Sequence, residues 1–146
     1  MKIKEVMSSN PVCCLPSDSA QRVAQIMCEE NVGSIPVVTD QESRKLVGMI
    51  TDRDLCCSVI AEGLDPKVSA IEKFMTLNPV ICRDGENIEN CERLMQEHQI
   101  RRIPIVDADE HVIGIVAQAD LALKDKSERV SKTVAEISKT TEPSAA

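Results

Sequence analysis

Met7-Ser8-Ser9-Asn10-Pro11-Val12-Cys13-Cys14 lies against Met75-Thr76-Leu77-Asn78-Pro79-Val80-Ile81-Cys82 at an offset of 68 residues. The same offset sets Met27 on Met95, Glu29 on Glu97, and Ile35-Pro36-Val37-Val38 on Ile103-Pro104-Ile105-Val106. A turn two residues shorter in the second copy then changes the offset to 66, so that Leu46-Val47-Gly48-Met49-Ile50 meets Val112-Ile113-Gly114-Ile115-Val116, and Asp54-Leu55 meets Asp120-Leu121. Self-similarity over this span makes the chain an internal duplication, and each element has to be read twice.

Both copies predict the same string of elements. Asn-Pro-Val opens a short strand, a position that tolerates proline because it need not donate to the ladder. A helix of about ten residues follows, with apolar positions Ala20, Val23, Ala24 and Met27 in one copy and Ile88, Cys91, Leu94 and Met95 in the other. Asp18 or Ser19, and Asn87, are suited to cap its start. Two β-branched runs, Ile35 to Thr39 and Leu46 to Thr51, flank a polar turn and predict a hairpin. A second helix starts at Thr51 or Ala117, and the first copy's version stops near Gly63, with Pro66 beyond it.

A unit of about 55 residues is too small to be stable by itself. The predicted fold class is therefore α/β in the broad sense (α+β): two β-α-β-β-α repeats packed sheet to sheet with pseudo-twofold symmetry and two related clefts at the seam. One module spans 1–125, with repeats from about 1 to 63 and about 67 to 125. Val130, Val134 and Ile137 stand at helical spacing and predict a last amphipathic helix over 124–138 that docks back or meets a partner. The Thr-Thr-Glu-Pro-Ser-Ala-Ala end reads as frayed.

Composition narrows the function. Of 146 residues, 42% are hydrophobic and 28% charged, as in a globular chain, yet there is one Phe and no Tyr or Trp. The core must be aliphatic, and the stacking platforms of single-strand nucleic-acid binders are missing. With 17 basic against 24 acidic residues, the net charge of −7 repels phosphate backbones. No nucleic acid is expected as a partner, and no membrane either, because no apolar run approaches a span and Met-Lys-Ile-Lys-Glu carries no signal-peptide pattern. The expected compartment is the cytoplasm. The seven cysteines, at 13, 14, 28, 56, 57, 82 and 91, contain no Cys-x-x-Cys, and His98 and His111 lie near no pair of them, so neither a disulfide framework nor a metal site is predicted. Most read as small buried apolar residues, with Cys28 and Cys91 on the inward side of their helices; a redox or metal role for the adjacent pairs Cys13-Cys14 and Cys56-Cys57 has no support in their spacing.

The duplicated pattern Met-x-x-Asn-Pro-Val, then Ile-Pro-Val-Val or Ile-Pro-Ile-Val, then Val-Gly-Met-Ile-Thr-Asp-Arg-Asp-Leu or Ile-Gly-Ile-Val-Ala-Gln-Ala-Asp-Leu, resembles a tandem pair of cystathionine-β-synthase-type (CBS) domains, a Bateman module. No single motif is specific; their order and recurrence carry the likeness. The resemblance implies a non-catalytic module that binds AMP, ADP, ATP or, ranked behind them, S-adenosylmethionine, and that dimerises into a disc. It further implies clefts that each take a Thr/Ser-x-x-Asp turn from one repeat and the first strand, with the segment before Ile-Pro-Val, from the other.

Carried over residue by residue, the resemblance puts Thr51, Arg53 and Asp54 with Val80, Ile81, Cys82, Arg101, Arg102, Ile103 and Pro104 in a first site. Asp54 is suited to two ribose hydroxyls, Thr51 and the amides of its helix to a phosphate, and the three arginines to phosphate oxygens. Adenine would lie between aliphatic side chains against the strand at Val80 to Cys82. The second site would combine Asp120 with Val12, Cys13, Cys14, Gly33, Ser34, Ile35 and Pro36. There Ala117 replaces Thr51, Ala119 replaces Arg53, and Gly33-Ser34 replaces the two arginines, so this site is expected to be empty, weak, or selective for a ligand with little negative charge.

Simpler roles stand beside these. Thr51-x-x-Asp54 is also a helix capping box. Arg101 and Arg102 fit a solvated patch paired with Glu97 or Asp107. Gly48 and Gly114 suit tight strand packing, since no Gly-x-Gly-x-x-Gly loop surrounds either. The leading reading is a regulatory nucleotide-binding homodimer acting on itself or on an unidentified regulated protein; the alternative is a protein–protein scaffold with vestigial clefts. An enzyme ranks third, because no nucleophile–base pair or metal set is visible, and thiol chemistry at Cys13, Cys14 or Cys82 is its least poor form.

Overall fold

Asn10 and Asn78 hold the same left-handed backbone, with φ of 50° and 49°, a region asparagine enters at lower cost than most residues. In this computed structural model, which describes residues 1–124 and 128–138, that kink stands where Asn-Pro-Val was expected to open a strand, and no strand forms directly there. Two residues before it form β1 (Ser8–Ser9) or β4 (Thr76–Leu77). Beyond it, the second repeat has β5 (Cys82–Arg83), whereas the first has a single parallel bridge from Cys14 to Val37.

The remaining elements are α1 (Ala20–Glu30), β2 (Ser34–Val38), β3 (Leu46–Thr51), α2 (Asp52–Leu55), α3 (Ile88–His98), β6 (Arg102–Val106), β7 (Val112–Ala117), α4 (Gln118–Lys124) and α5 (Glu128–Ser138). They form two sheets, in the orders β2-β3-β4 and β1-β7-β6-β5, a mixed α+β architecture. The short leading strand of each repeat joins the sheet of the other: β4 pairs antiparallel with β3, and β1 with β7. Two units result. Asn10–Pro79 with Val106–Ile113 forms a first-repeat unit; Met1–Ser9, Val80–Ile105 and the chain from Gly114 form a second-repeat unit.

Glycine at the crossing points is a steric need. A Cβ on Gly48 would stand 2.7 Å from the Thr76 carbonyl oxygen and 3.0 Å from the Met75 sulfur. On Gly114 it would run into Met7 and approach the Ser8 carbonyl to 3.1 Å. Both glycines therefore serve strand packing.

Inside the first-repeat unit, Ala20, Val23, Ile26 and Met27 of α1 meet Ile35, Val37, Ile50, Leu55, Val59 and Ile71 in one aliphatic core. The hairpin pairs Ser34 with Thr51 and Ile35 with Ile50, and shifts register between Val37 and Val38. Ser19 caps α1 as predicted, accepting from the Arg22 amide at 3.1 Å. Asn87 makes no such bond; instead the Ile88 amide reaches the Met1 carbonyl at 2.9 Å, so the incoming N-terminal segment does the capping. α1 and α3 end alike: Asn31 (φ 54°) and Gln99 (φ 51°) are left-handed, and they and the following residue donate to the Met27 and Met95 carbonyls. α2 runs on as a π-helical turn over Cys56–Ile60 and ends at Gly63, φ 71°.

In the second-repeat unit the buried residues include Ile3, Val6, Ile88, Cys91, Met95, Ile103, Ile105, Val116 and Leu121. α5 packs on α3 and α4, buries Thr133 and Ile137, and takes a hydrogen bond from Gln96 Nε2 to Thr133 Oγ1 at 2.7 Å. The predicted docking helix thus folds back onto its own repeat. Its Val130 side chain and the Thr-Thr-Glu-Pro-Ser-Ala-Ala end lie outside the described residues.

Cysteines 13, 14, 82 and 91 are buried, but Cys28 is exposed, against the inward position predicted for it. Ile26 and Met27 fill the inward arc of α1, which turns position 28 outward. Cys56 and Cys57 are exposed as well. No helix among the described residues is long and apolar enough to cross a membrane.

Candidate functional site

β3 delivers Thr51 to the start of α2, where the capping box closes. The Asp54 amide donates to Thr51 Oγ1 at 3.0 Å and the Thr51 amide to Asp54 Oδ2 at 2.9 Å. Asp54 Oδ1 stays outside this pair of bonds. Thr51 and Asp54 are half-buried, and Arg53 is exposed. The Asp52 amide donates to the Gly33 carbonyl at 2.9 Å, tying the turn before β2 to the helix start. Gly33, Ser34, Ile35 and Pro36 share this unit with the segment Val12 to Cys14. There the Cys14 amide reaches the Pro36 carbonyl at 3.0 Å and the Cys14 carbonyl takes the Val38 amide at 2.9 Å.

The second-repeat unit repeats half of that design. Asp120 Oδ2 accepts the Ala117 amide at 2.8 Å, but alanine returns no hydroxyl, so the box is open on one side. The Gln118 amide donates to the Arg101 carbonyl at 2.8 Å, the counterpart of the Asp52–Gly33 bond. Arg101 is exposed and Arg102 half-buried, while Cys82, Ile103 and Pro104 are buried and Val80 and Ile81 half-buried. β5 and β6 are neighbours, which sets Cys82 beside the strand that Arg102 opens. Thr51, Arg53, Asp54, Val12 to Cys14 and Gly33 to Pro36 thus fall in the first-repeat unit, and Val80 to Cys82, Arg101 to Pro104 and Asp120 in the second-repeat unit. Within a unit, the helix start and the turn before Ile-Pro-Val of the same repeat are joined.

One cation escaped the sequence reading. Arg44 lies in the turn between β2 and β3, left-handed at φ 57°, and its guanidinium reaches the Pro11 carbonyl and, at 2.9 Å, Cys13 Sγ. Gln41 Nε2 donates to the Cys13 carbonyl at 2.9 Å. The strand expected in the second site thus carries a guanidinium, although all three arginine positions of the first site are lost there. A contact across some thirty residues leaves no local pattern to read.

Three of the buried thiols are poor nucleophiles. Burial raises Cys13, and the Arg44 guanidinium pulls the other way without prevailing. Burial pushes Cys14 up to about 12, with the Asp18 carboxylate adding to the effect. Cys91 is raised by its hydrogen bond with the Cys82 thiol and then by burial. At neutral pH these three are thiols and not the reactive thiolates. Among the described residues one group of ligand-type side chains converges, Asp107, Asp109 and His111. Asp107 Oδ1 accepts the Asp109 and His111 amides at 2.9 Å, and Oδ2 lies 3.2 Å from His111 Nδ1, bonds that close the β6–β7 turn.

The CBS domain family matches residues 3–60 and again 68–126, nearly the whole duplication. The chain belongs to the CBS domain family. Among curated relatives of this CBS protein is CBS domain-containing protein YhcV of Bacillus subtilis, 37% identical over 125 residues that cover 86% of each chain. Its fold matches the crystal structure of CBSX2 in complex with AMP at a TM-score of 0.73 and 29% identity, covering 86% of this chain and 98% of the other. It also matches the CBS domain pair of protein MJ0100 in complex with 5′-methylthioadenosine and S-adenosyl-L-methionine, with a TM-score of 0.74, 28% identity and coverages of 84% and 94%.

Proposed function

We propose that this CBS protein is a non-catalytic regulatory module, a cytoplasmic homodimer that binds an adenosine-type ligand of the AMP, ADP or ATP class. One arm of the site is Thr51, Arg53 and Asp54; the other is Val80, Ile81, Cys82, Arg101, Arg102, Ile103 and Pro104. The observation that carries this reading is the difference between the two helix starts. Thr51–Asp54 has a complete hydroxyl–carboxylate pair with Oδ1 free of the cap, whereas Ala117–Asp120 keeps only the carboxylate.

In this reading Asp54 Oδ1 receives a ribose hydroxyl while Oδ2 holds the helix start. The guanidinium groups of Arg101 and Arg102 take phosphate oxygens, and aliphatic walls replace the aromatic ones the composition lacks. The AMP, methylthioadenosine and S-adenosylmethionine complexes of structural relatives support the ligand class. The second set, Val12, Cys13, Cys14, Gly33, Ser34, Ile35, Pro36 and Asp120, takes a less anionic ligand more weakly.

Thermal-shift titration of the full chain tests this. A ligand at a hundred times its Kd stabilises by about 2.7 kcal/mol, so one of AMP, ADP or ATP is expected to raise Tm. Asp54→Asn keeps an acceptor for the Thr51 amide and is expected to weaken that ligand about tenfold, whereas Asp120→Asn leaves it nearly unchanged. No shift with any of the three nucleotides, or equal losses in the two variants, overturns the assignment.

A further inference from the structure

In the first-repeat unit, Pro36 stops a ladder before it reaches Val12. Cys14 pairs in parallel with Val37: its amide donates to the Pro36 carbonyl and its carbonyl accepts from the Val38 amide. The next rung back would run from the amide of residue 36 to the Val12 carbonyl, and proline has no N–H to give. Among the described residues the Val12 amide and carbonyl accordingly make no hydrogen bond. In the register set by Cys14 both groups face the same side, so Val12 presents one donor beside one acceptor.

Two side chains from the β2–β3 turn fix that edge. Arg44 donates to the Pro11 carbonyl and lies 2.9 Å from Cys13 Sγ, while Gln41 Nε2 donates to the Cys13 carbonyl at 2.9 Å. The Pro11 carbonyl and the Val12 amide belong to one planar peptide and point opposite ways, so a guanidinium on the first aims the second. Arg44 is itself held at both ends of its backbone. Its amide donates to the Asp40 carbonyl at 2.9 Å, and its carbonyl accepts from the Val112 amide at 2.8 Å, in a hairpin segment of the same unit.

The second repeat lacks this device. Glu110 stands at the place of Arg44 with the same left-handed backbone, φ 67° against 57°, and its carboxylate cannot donate to a carbonyl. There Cys82–Arg83 forms β5 beside β6 instead. Nor does stability explain Arg44, whose Nε is buried without a hydrogen-bond partner. A contact kept only for stability would avoid that cost.

We propose that Arg44, seconded by Gln41, is a positioning residue that aims the Val12 peptide groups at a purine edge and so sets the base preference of the second ligand set. Adenine carries an amine donor next to a ring-nitrogen acceptor, the complement of Val12. Hypoxanthine has a carbonyl where adenine has the amine, and would oppose acceptor to acceptor. The second set therefore takes adenosine over inosine, and Arg44 is what holds it to that choice. The inference rests on the second-set reading above and deepens it.

Isothermal titration calorimetry of the full chain carrying Asp54→Asn, with adenosine and inosine as probes, tests it. The binding that Asp120→Asn weakens is that of the second set. With Arg44 intact, adenosine is expected to bind at least about tenfold more tightly than inosine, the ratio that one exchanged hydrogen bond is worth. Arg44→Met keeps the stem and loses the guanidinium; it is expected to bring the ratio to within about twofold. Arg44→Lys, which can still donate to the Pro11 carbonyl, is expected to restore part of it, and Gln41→Ala, at an exposed side chain, to lower it less. Far-UV circular dichroism establishes that the variants are folded, and Gln41→Ala carries the test if Arg44→Met does not fold. No adenosine binding that depends on Asp120 overturns the second-set reading together with this inference. A ratio near one with Arg44 intact, or one that stays the same in Arg44→Met and Gln41→Ala even if both nucleosides weaken together, overturns the role of Arg44 alone.

Discussion

Thr51 and Ala117 begin the same helix at the same point of two copies of one motif, and they differ by one hydroxyl. With it, Thr51 and Asp54 exchange two hydrogen bonds; without it, Asp120 only accepts one, from the Ala117 amide. The carboxylate at Asp120 therefore persists where a complete box is impossible. A structural role for these aspartates takes one oxygen, and the second stays outside the cap bonds in both copies. The copies part company in the residues beside the carboxylate in sequence: Ala117 and Ala119 stand where the first copy has Thr51 and Arg53, while Arg44, from a distant turn, brings a charge to Cys13.

The largest effects are expected where the repeats exchange strands. Gly48→Ala would drive a methyl group against the Thr76 carbonyl, backbone that cannot yield, and should cost about 1–3 kcal/mol by overpacking. Gly114→Ala should cost less, because its nearest obstacle is the mobile end of Met7 and the Ser8 carbonyl is farther off. Urea denaturation compares the two. If Gly114→Ala proves the more damaging, the difference between the crossings has been read the wrong way round.

Exchanging the caps gives the next largest change. Thr51→Ala should destabilise the chain by about 1 kcal/mol, and Ala117→Ser should stabilise it by up to the same amount, since a hydroxyl restores the missing acceptor. Ala117 is buried, which is why serine is chosen over the bulkier threonine. A neutral Ala117→Ser variant would show that the Gln118–Arg101 bond already holds α4 at full strength.

The duplication made most of the fold legible, because each element is supported twice and local chemistry agrees with it: Ser19 caps, Gly63 ends a helix, and the hairpins fall on their β-branched runs. What stayed hidden was long-range. β1 and β4 lie just ahead of the left-handed asparagines, before the strand that Asn-Pro-Val suggested, and each joins the other repeat's sheet, an exchange no periodicity records. Asn87 has the right side chain for a cap, yet the Met1 carbonyl takes its place. Cys28 was misplaced because Ile26 and Met27 already fill the inward arc of α1. For the candidate site, Thr51–Asp54 was readable as a spacing, and Arg44 was not, since its partners lie some thirty residues away.

The smallest expected effects belong to the two hairpin turns, which close by different chemistry at the same place. Asp40 accepts the Ser43 amide at 2.6 Å, with hydroxyls of Ser43 and Thr39 at 2.8 and 3.1 Å. Asp107 accepts two amides and faces the His111 ring. Both carboxyls are held below the ordinary aspartate range, in each case mainly by a backbone amide, that of Ser43 or of His111. A carboxyl whose folded pKa is depressed contributes stability above its unfolded value of about 3.9 and loses it as the pH falls through the folded one. Acidification from pH 5 should therefore loosen both turns only below about pH 4, and weakly, since Asp40 is exposed and the Asp107 side chain is still 39% exposed to solvent screening. Carboxyl-carbon NMR titration should place both midpoints below that of a free aspartate. Because Asp40 leans on neutral hydroxyls and Asp107 on an ionisable ring, substituting His111→Gln should move the Asp107 midpoint upward and leave Asp40 where it was. Equal movement of both would mean that the two turns are coupled and do not close independently.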